Sequence, residues 1–145
     1  MPLFSHDTKI DALKEAPLFA GLSNDELAEL AGMADELEVE SGTVLTKEGE
    51  LGHEFFAIVD GDVDFLRGGK RIEMAQPGRF FGEIALVERV PRMATVVAKT
   101  PLRFFVLNER DFKKLMDDNP KIERKIMQAL ARRLLALVQE DPRLG

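Results

Sequence analysis

One segment of this sequence places an acid, an arginine and a glycine at spacings suited to holding an anion: Phe81 to Thr95, FGEIALVERVPRMAT. Gly82 lets the backbone approach a ligand closely, because it has no Cβ. Glu83-Ile84-Ala85-Leu86 is predicted to open a short helix, whose first N–H groups lack intrahelical partners and point outward. Ala85 is small and leaves those amides open. Nine residues past Glu83 comes Pro91-Arg92. The proline stiffens the approach, and Arg92 offers a planar, two-pronged donor to a phosphate. Glu83 supplies paired acceptors that suit a sugar hydroxyl. Together these describe a pocket for a small ligand carrying a phosphate and a sugar. A plainer reading of the same residues is a Glu83–Arg92 salt bridge and a glycine that only turns the chain. Spacing alone leaves both open.

Other chemistries are poorly supplied. The chain has no cysteine, so disulfide and thiolate chemistry are excluded. Its two histidines, His6 and His53, lie far apart in sequence, which argues against a zinc site or another histidine-based metal site. No catalytic constellation, metal or cofactor is therefore expected, and the chain reads as a non-enzyme. The net charge of −6 argues against nucleic-acid binding, which needs clustered Lys and Arg. Residues 1–107 carry 11 basic and 19 acidic groups, net −8, while residues 108–145 carry 9 and 7, net +2. The latter fits a mixed-charge C-terminal helix. No apolar run approaches the roughly 18 residues that would span a bilayer. The opening MPLFSHDTKID lacks the basic and apolar regions of a signal peptide, so a cytoplasmic location is expected.

The elements that must position the segment are legible on either side of it. At 145 residues the chain is read as one domain. Residues 1–35 read as helices. Ile10 and Leu13 share a face before Pro17 stops the run, and Ser23 with Glu26 forms a capping box ahead of Leu27, Leu30, Ala31 and Ala34. Residues 36–107 read as short strands. These are Leu37–Glu40, Val44–Thr46, Phe55–Val59, Val63–Leu66, Arg71–Met74, Thr95–Ala98 and Leu102–Leu107, with turn signals at Glu48-Gly49-Glu50 and Pro77-Gly78. Asp60-Gly61 and Gly68-Gly69 are predicted to be two-residue hairpin turns. Residues 108–140 return to helical spacing. Asn108 caps a helix through Leu115 or Met116. Pro120 then opens a longer helix with the stripe Ile122, Ile126, Ala129, Leu130, Arg133, Leu134, Leu137 and Val138, ended by Asp141-Pro142. The fold class predicted is α+β, mainly β: an antiparallel β-roll or jelly roll flanked by N-terminal helices and two C-terminal helices.

At the segment 81–95 the sequence resembles the phosphate-binding cassette of cyclic-nucleotide-binding domains, close to F-G-E-[apolar]-A-L-x-x-x-x-P-R-x-A-T-V. That family includes protein kinase A regulatory subunits, cyclic-nucleotide-gated channels and bacterial catabolite-activator transcription factors. The resemblance extends over nearly the whole chain, through Pro17–Ser23, Gly42, Glu48-Gly49, Phe56–Val59 with Gly61, and Pro77-Gly78. It implies a cyclic-nucleotide receptor, with cAMP the first candidate ligand and cGMP the second. It implies that Glu83 accepts from the ribose 2′-hydroxyl and that Arg92 pairs with the cyclic phosphate. The amides of Ile84 and Ala85, near Gly82, and of Ala94 would cradle the phosphate and sugar. Met93 stands where cGMP-favouring members often carry Thr. A methionine donates no hydrogen bond, which favours cAMP, although the side chain equally serves as packing.

At the C-terminal end the chain departs from the family pattern. Kinase-type members stack a Trp or Tyr on the base, and this chain has neither. Its last helix offers an apolar lid, Leu134 and Leu137, or the arginines Arg132 and Arg133, which could stack on a base by a cation–π contact. The same stripe also suits packing on the roll or the seam of a homodimer. Ala131-Arg132-Arg133-Leu134 is similar to the dimer helix of the transcription factors, but Ala136 and Leu137 stand where those carry hydroxyls that read adenine. No helix-turn-helix follows it, so no DNA partner is expected. Phe112 matches the family's hinge position, implying that ligand binding repositions the last helix to act on a downstream protein. The alternatives are a ligand-independent interaction module on the same fold, or the ligand-binding part of a longer transcription factor, kinase subunit or channel.

Overall fold

The computed structural model describes residues 6–72 and 79–140. Helix α1, His6–Glu15, is followed by a 3₁₀ turn at Pro17–Phe19 and helix α2, Asn24–Ala31. Strands β1 (Asp35–Val39), β2 (Val44–Thr46), β3 (Glu54–Asp60), β4 (Val63–Arg67), β5 (Lys70–Ile72) and β6 (Phe80–Phe81) come next. Helix α3, Glu83–Val87, interrupts the strands before β7 (Thr95–Ala98) and β8 (Leu102–Asn108). Helices α4 (Glu109–Asp118) and α5 (Pro120–Glu140) close the described chain. This is the expected mixture of helices and antiparallel strands. The strand residues Glu73 and Met74, the Pro77-Gly78 turn, the Asp141-Pro142 stop and the Leu137 side chain lie outside the described residues.

The eight strands form two antiparallel sheets, ordered β1-β8-β3-β6 and β2-β7-β4-β5. Strands β3 and β8 are buried on both faces, which explains why Phe55–Val59 and Leu102–Leu107 read as continuous apolar runs. Phe56 and Ile58, with Phe104 and Val106, point into the core between the sheets. Phe55 and Ala57, with Phe105 and Leu107, point the other way into a second core against the helices. Leu13, Leu27, Leu30, Ile122 and Ile126 supply the helical side of that core.

Local sequence signals explain several element ends. The Ser23 side chain accepts from Glu26 N, and the Glu26 carboxylate accepts from Ser23 N, so two helix-end amides are satisfied reciprocally. The Asn108 side chain caps α4 through Asp111 N at 2.8 Å, and the helix runs on to Asp118, past Met116. Gly68 and Gly69 form the two-residue turn joining β4 to β5, with Arg67 opposite Lys70 and both glycines at positive φ.

Asp60-Gly61 is not a hairpin. It links β3 and β4, which lie in different sheets. Gly61 has φ +98°, and a Cβ there would collide with Pro101 O and come within 3.0 Å of Leu102 Cα. The glycine therefore lets one sheet-to-sheet crossing pack on another, the Lys99–Pro101 connection. The two crossings are tied by Asp62 N to Thr100 Oγ1 and by Lys99 N to Asp62 O, both at 2.9 Å.

Candidate functional site

Helix α3 and the loop after it interrupt the roll at the edge strand β6, and they carry the two buried charges of the cassette. Gly82 caps α3 at φ +96°, and a Cβ there would lie 2.9 Å from both Arg92 Nη1 and Glu54 O. The position thus needs glycine for conformation and for clearance. Glu83 follows and is 2% exposed; Arg92, on the chain leading back into β7, is 8% exposed.

These two residues are not hydrogen-bonded to each other. Arg92 Nη1 donates to Gly82 O at 3.0 Å, and Nη2 donates to Glu54 O at 2.7 Å. The guanidinium lies 5.9 Å from the centre of the Phe56 ring. Its main chain is also clasped, with Arg92 N donating to Glu50 O and Gly49 N donating to Arg92 O, each at 2.8 Å. Burial lowers the Arg92 pKa, against the opposing influence of Glu54 and Glu83.

Glu83 pairs with Arg133 of α5, Nη1 to Oε1 at 2.7 Å, and Arg133 Nη2 donates to Phe80 O at 2.6 Å. The Arg133 guanidinium lies 4.7 Å from the Phe80 ring centre. Burial raises the Glu83 pKa, and Arg133 is the largest influence pulling it back down. Glu83 Oε2 and Arg133 Nε are buried without a hydrogen-bond partner among the described residues.

The two charges line a cavity of about 450 Å³, within the roughly 300–1,000 Å³ range of small-molecule sites. Its floor is a cross-strand row on the second sheet: Thr46 opposite Val96, and Val96 opposite Phe65. Its walls are Phe81, Gly82, Ile84, Ala85, Met93 and Ala94. From α5 come Leu130, Arg133 and Leu134. The interior is thus apolar, apart from one acid, two arginines and the Thr46 hydroxyl, which donates to Ala94 O at 3.2 Å.

Gly82, Glu83, Ile84, Ala85, Arg92, Met93 and Ala94 come together at this one cavity. Of the lid residues, Leu134 lines it from a largely exposed position, and Arg133 lines it with a largely buried side chain. Arg132 does not: it is exposed and outside the lining, since one residue along a helix turns the side chain by about 100°. Arg133 also differs from expectation, because its guanidinium is engaged with Glu83 and Phe80. Phe112 is 3% exposed, 4.6 Å from the Phe55 ring and in the same core as Leu86 of α3. Sequence reasoning missed Thr46, Phe65 and Val96 as lining residues, and Gly52, over which Arg92 lies. The one signal for Gly52 was a second glycine soon after Glu48-Gly49-Glu50.

Comparison with known proteins finds matches over this same region. The family model described as "Cyclic nucleotide-binding domain" matches residues 36–119. A potassium-channel candidate from Rhodopseudomonas palustris is 37% identical over 116 residues, covering 77% of this chain and 28% of that protein. A cAMP-dependent protein kinase regulatory subunit of Yarrowia lipolytica is 35% identical over 106 residues, covering 72% and 28%. Among solved structures, cAMP-bound PfPKA-R superposes with a TM-score of 0.76 at 26% identity, covering 93% of this chain and 46% of that one. The match takes in only 28% of the length of each of these two curated relatives. Among the described residues no helix is long and apolar enough to cross a membrane, and no group of His, Cys, Asp or Glu is arranged to hold a metal.

Proposed function

The chain belongs to the cyclic nucleotide-binding domain family, and from that premise we propose that it is a receptor domain for cAMP that carries out no catalysis of its own. One observation carries the reading. Two opposite charges, Glu83 and Arg92, are both more than nine-tenths buried on one cavity, and Glu83 Oε2 has no partner among the described residues. A buried charge is costly unless it is paired and hydrogen-bonded. Among the described residues Arg92 has two carbonyl partners and no carboxylate within bonding distance. A cyclic ribose phosphate supplies what both lack: an anion for the Arg92 fork and a hydroxyl donor for Glu83 Oε2. The apolar floor of Phe65 and Val96 takes the purine, and Leu130 and Leu134 cover it.

In this proposal the amides of Ile84, Ala85 and Ala94 complete the phosphate cradle. Met93, which cannot donate to a guanine, favours cAMP over cGMP. Ligand draws α3 inward, Phe112 follows through the core it shares with Leu86, and α5 settles over the base. That motion shifts a partner equilibrium only as far as ligand prefers the closed arrangement. A cytoplasmic setting, pairing of two copies through α5 and an effector protein belong to the same proposal.

Calorimetric titration with cAMP, cGMP and cyclic dinucleotides tests it. Wild type should bind cAMP, with Arg92→Ala weakened at least 100-fold and still folded. Absence of heat with every cyclic nucleotide would refute the receptor reading. Identical amide exchange over residues 119–138 with and without ligand would refute the helix coupling.

A further inference from the structure

The Arg92 guanidinium is seated on a residue that the cassette pattern does not contain. Its main chain is anchored to Gly49 and Glu50, and its side chain then passes back over the same stretch to reach the Glu54 carbonyl. Gly52 lies beneath that path. A Cβ on Gly52 would be 2.6 Å from Arg92 Nη2 and closer still to Nε and Cζ, separations that real Cβ atoms do not show. Three atoms of one planar group crowd a single point, so the guanidinium lies flat over the Gly52 Cα. Gly52 is not among the glycines at positive φ. What the fold takes from glycine here is the missing side chain, not backbone freedom.

We propose that Gly52 is the positioning residue for anion binding by Arg92. With no side chain at 52, the guanidinium can lie deep enough for Gly82 and Glu54 to fix two of its five N–H groups. The other three remain available to a phosphate in a set orientation. A Cβ at 52 lifts the fork off both carbonyls and misdirects it. The anion-binding half of this proposal rests on the receptor reading above; the seat itself rests only on the contacts.

The test uses Gly52→Ala, Arg92→Ala and the double variant. In urea unfolding, Gly52→Ala lowers the midpoint of the wild type. In the Arg92→Ala background the clash is gone, so the same change leaves the midpoint unmoved or raises it, because alanine restricts the unfolded chain. By calorimetry Gly52→Ala weakens cAMP at least tenfold and brings the ratio of affinities for the Sp and Rp phosphorothioates of cAMP towards one, since a displaced fork no longer distinguishes the two exocyclic oxygens. Equal midpoint losses in both backgrounds overturn the seat, and unchanged cAMP affinity in Gly52→Ala overturns the positioning role. A wild type that binds no cyclic nucleotide overturns the receptor reading and the anion-binding half together, and the midpoint coupling then reports on the seat alone.

Discussion

Replacing Arg133 with methionine keeps most of the side chain's bulk and removes the one cation that, among the described residues, is bonded to the Glu83 carboxylate. Glu83 is 2% exposed, so water cannot take over from the lost partner. Two responses are open to it. It can stay ionised, and breaking a buried pair from one side typically costs about 3–5 kcal/mol. Or it can take up a proton, which caps the penalty. Neutralising a carboxyl whose ordinary pKa is 4.5 costs about 1.4 kcal/mol per pH unit, hence about 3 kcal/mol at pH 7. Loss of the Phe80 carbonyl bond and ring contact adds about 1 kcal/mol that does not depend on pH. The expected loss is about 4 kcal/mol at pH 7, or roughly 10–15 °C in Tm for a chain of 145 residues. At pH 5 protonation costs under about 1 kcal/mol, so the loss falls to about 2 kcal/mol. The sign follows from linkage: without Arg133 to hold the proton off, the folded variant binds it more readily than the folded wild type, so the deficit shrinks as pH falls. Urea unfolding followed by circular dichroism at pH 5, 6 and 7 measures this. The Glu83→Gln/Arg133→Met double variant should show no such pH dependence. A deficit of equal size at pH 5 and pH 7, or one below about 1 kcal/mol at pH 7, would refute the reasoning.

Three further outcomes follow from particular contacts. Glu83→Gln should weaken cAMP by about 10–100-fold, the value of a hydrogen bond to a charged acceptor, and should weaken 2′-deoxy-cAMP far less, as read by calorimetry. Equal losses for the two ligands would remove Glu83 from the sugar. Gly61→Ala should destabilise by at least about 2 kcal/mol in urea unfolding, because the Cβ meets Pro101 O and the φ of +98° strains any L side chain. A neutral result would mean that the two crossings do not press on each other. Ser23→Ala should cost about 1 kcal/mol through the loss of the α2 cap, with ligand affinity unchanged.

Glu83 and Arg92 were legible because the cassette is a local pattern: an acid, a glycine and an arginine within ten residues of one another. The Ser23 capping box and the Gly68-Gly69 turn were legible for the same reason, since each is decided by neighbours three or fewer residues apart. Asp60-Gly61 carries the same kind of turn signal as Gly68-Gly69 and does something else. The dipeptide reports that the chain turns, and nothing in it reports whether the next strand joins the same sheet. The helical stripe of α5 was read correctly as periodic. Its use divides along its length, with Ile122, Ile126 and Ala129 in the core and Leu130, Arg133 and Leu134 lining the cavity, Leu134 largely exposed.

What the sequence by itself determined is the local layer: helix ends, strand runs, and a short segment able to offer amides, an acid and an arginine to a phosphorylated sugar. Tertiary structure alone decided which distant groups meet those residues. Arg133 reaches Glu83 across 50 positions, and Gly52 lies beneath Arg92 across 40. The physical reason is range. Backbone propensity, capping and turn chemistry act over a few residues and leave a signature in the order of the chain. The pairing of buried charges and the clearance over a glycine depend on how two sheets and a helix pack, and side-chain types along the chain do not encode that distance.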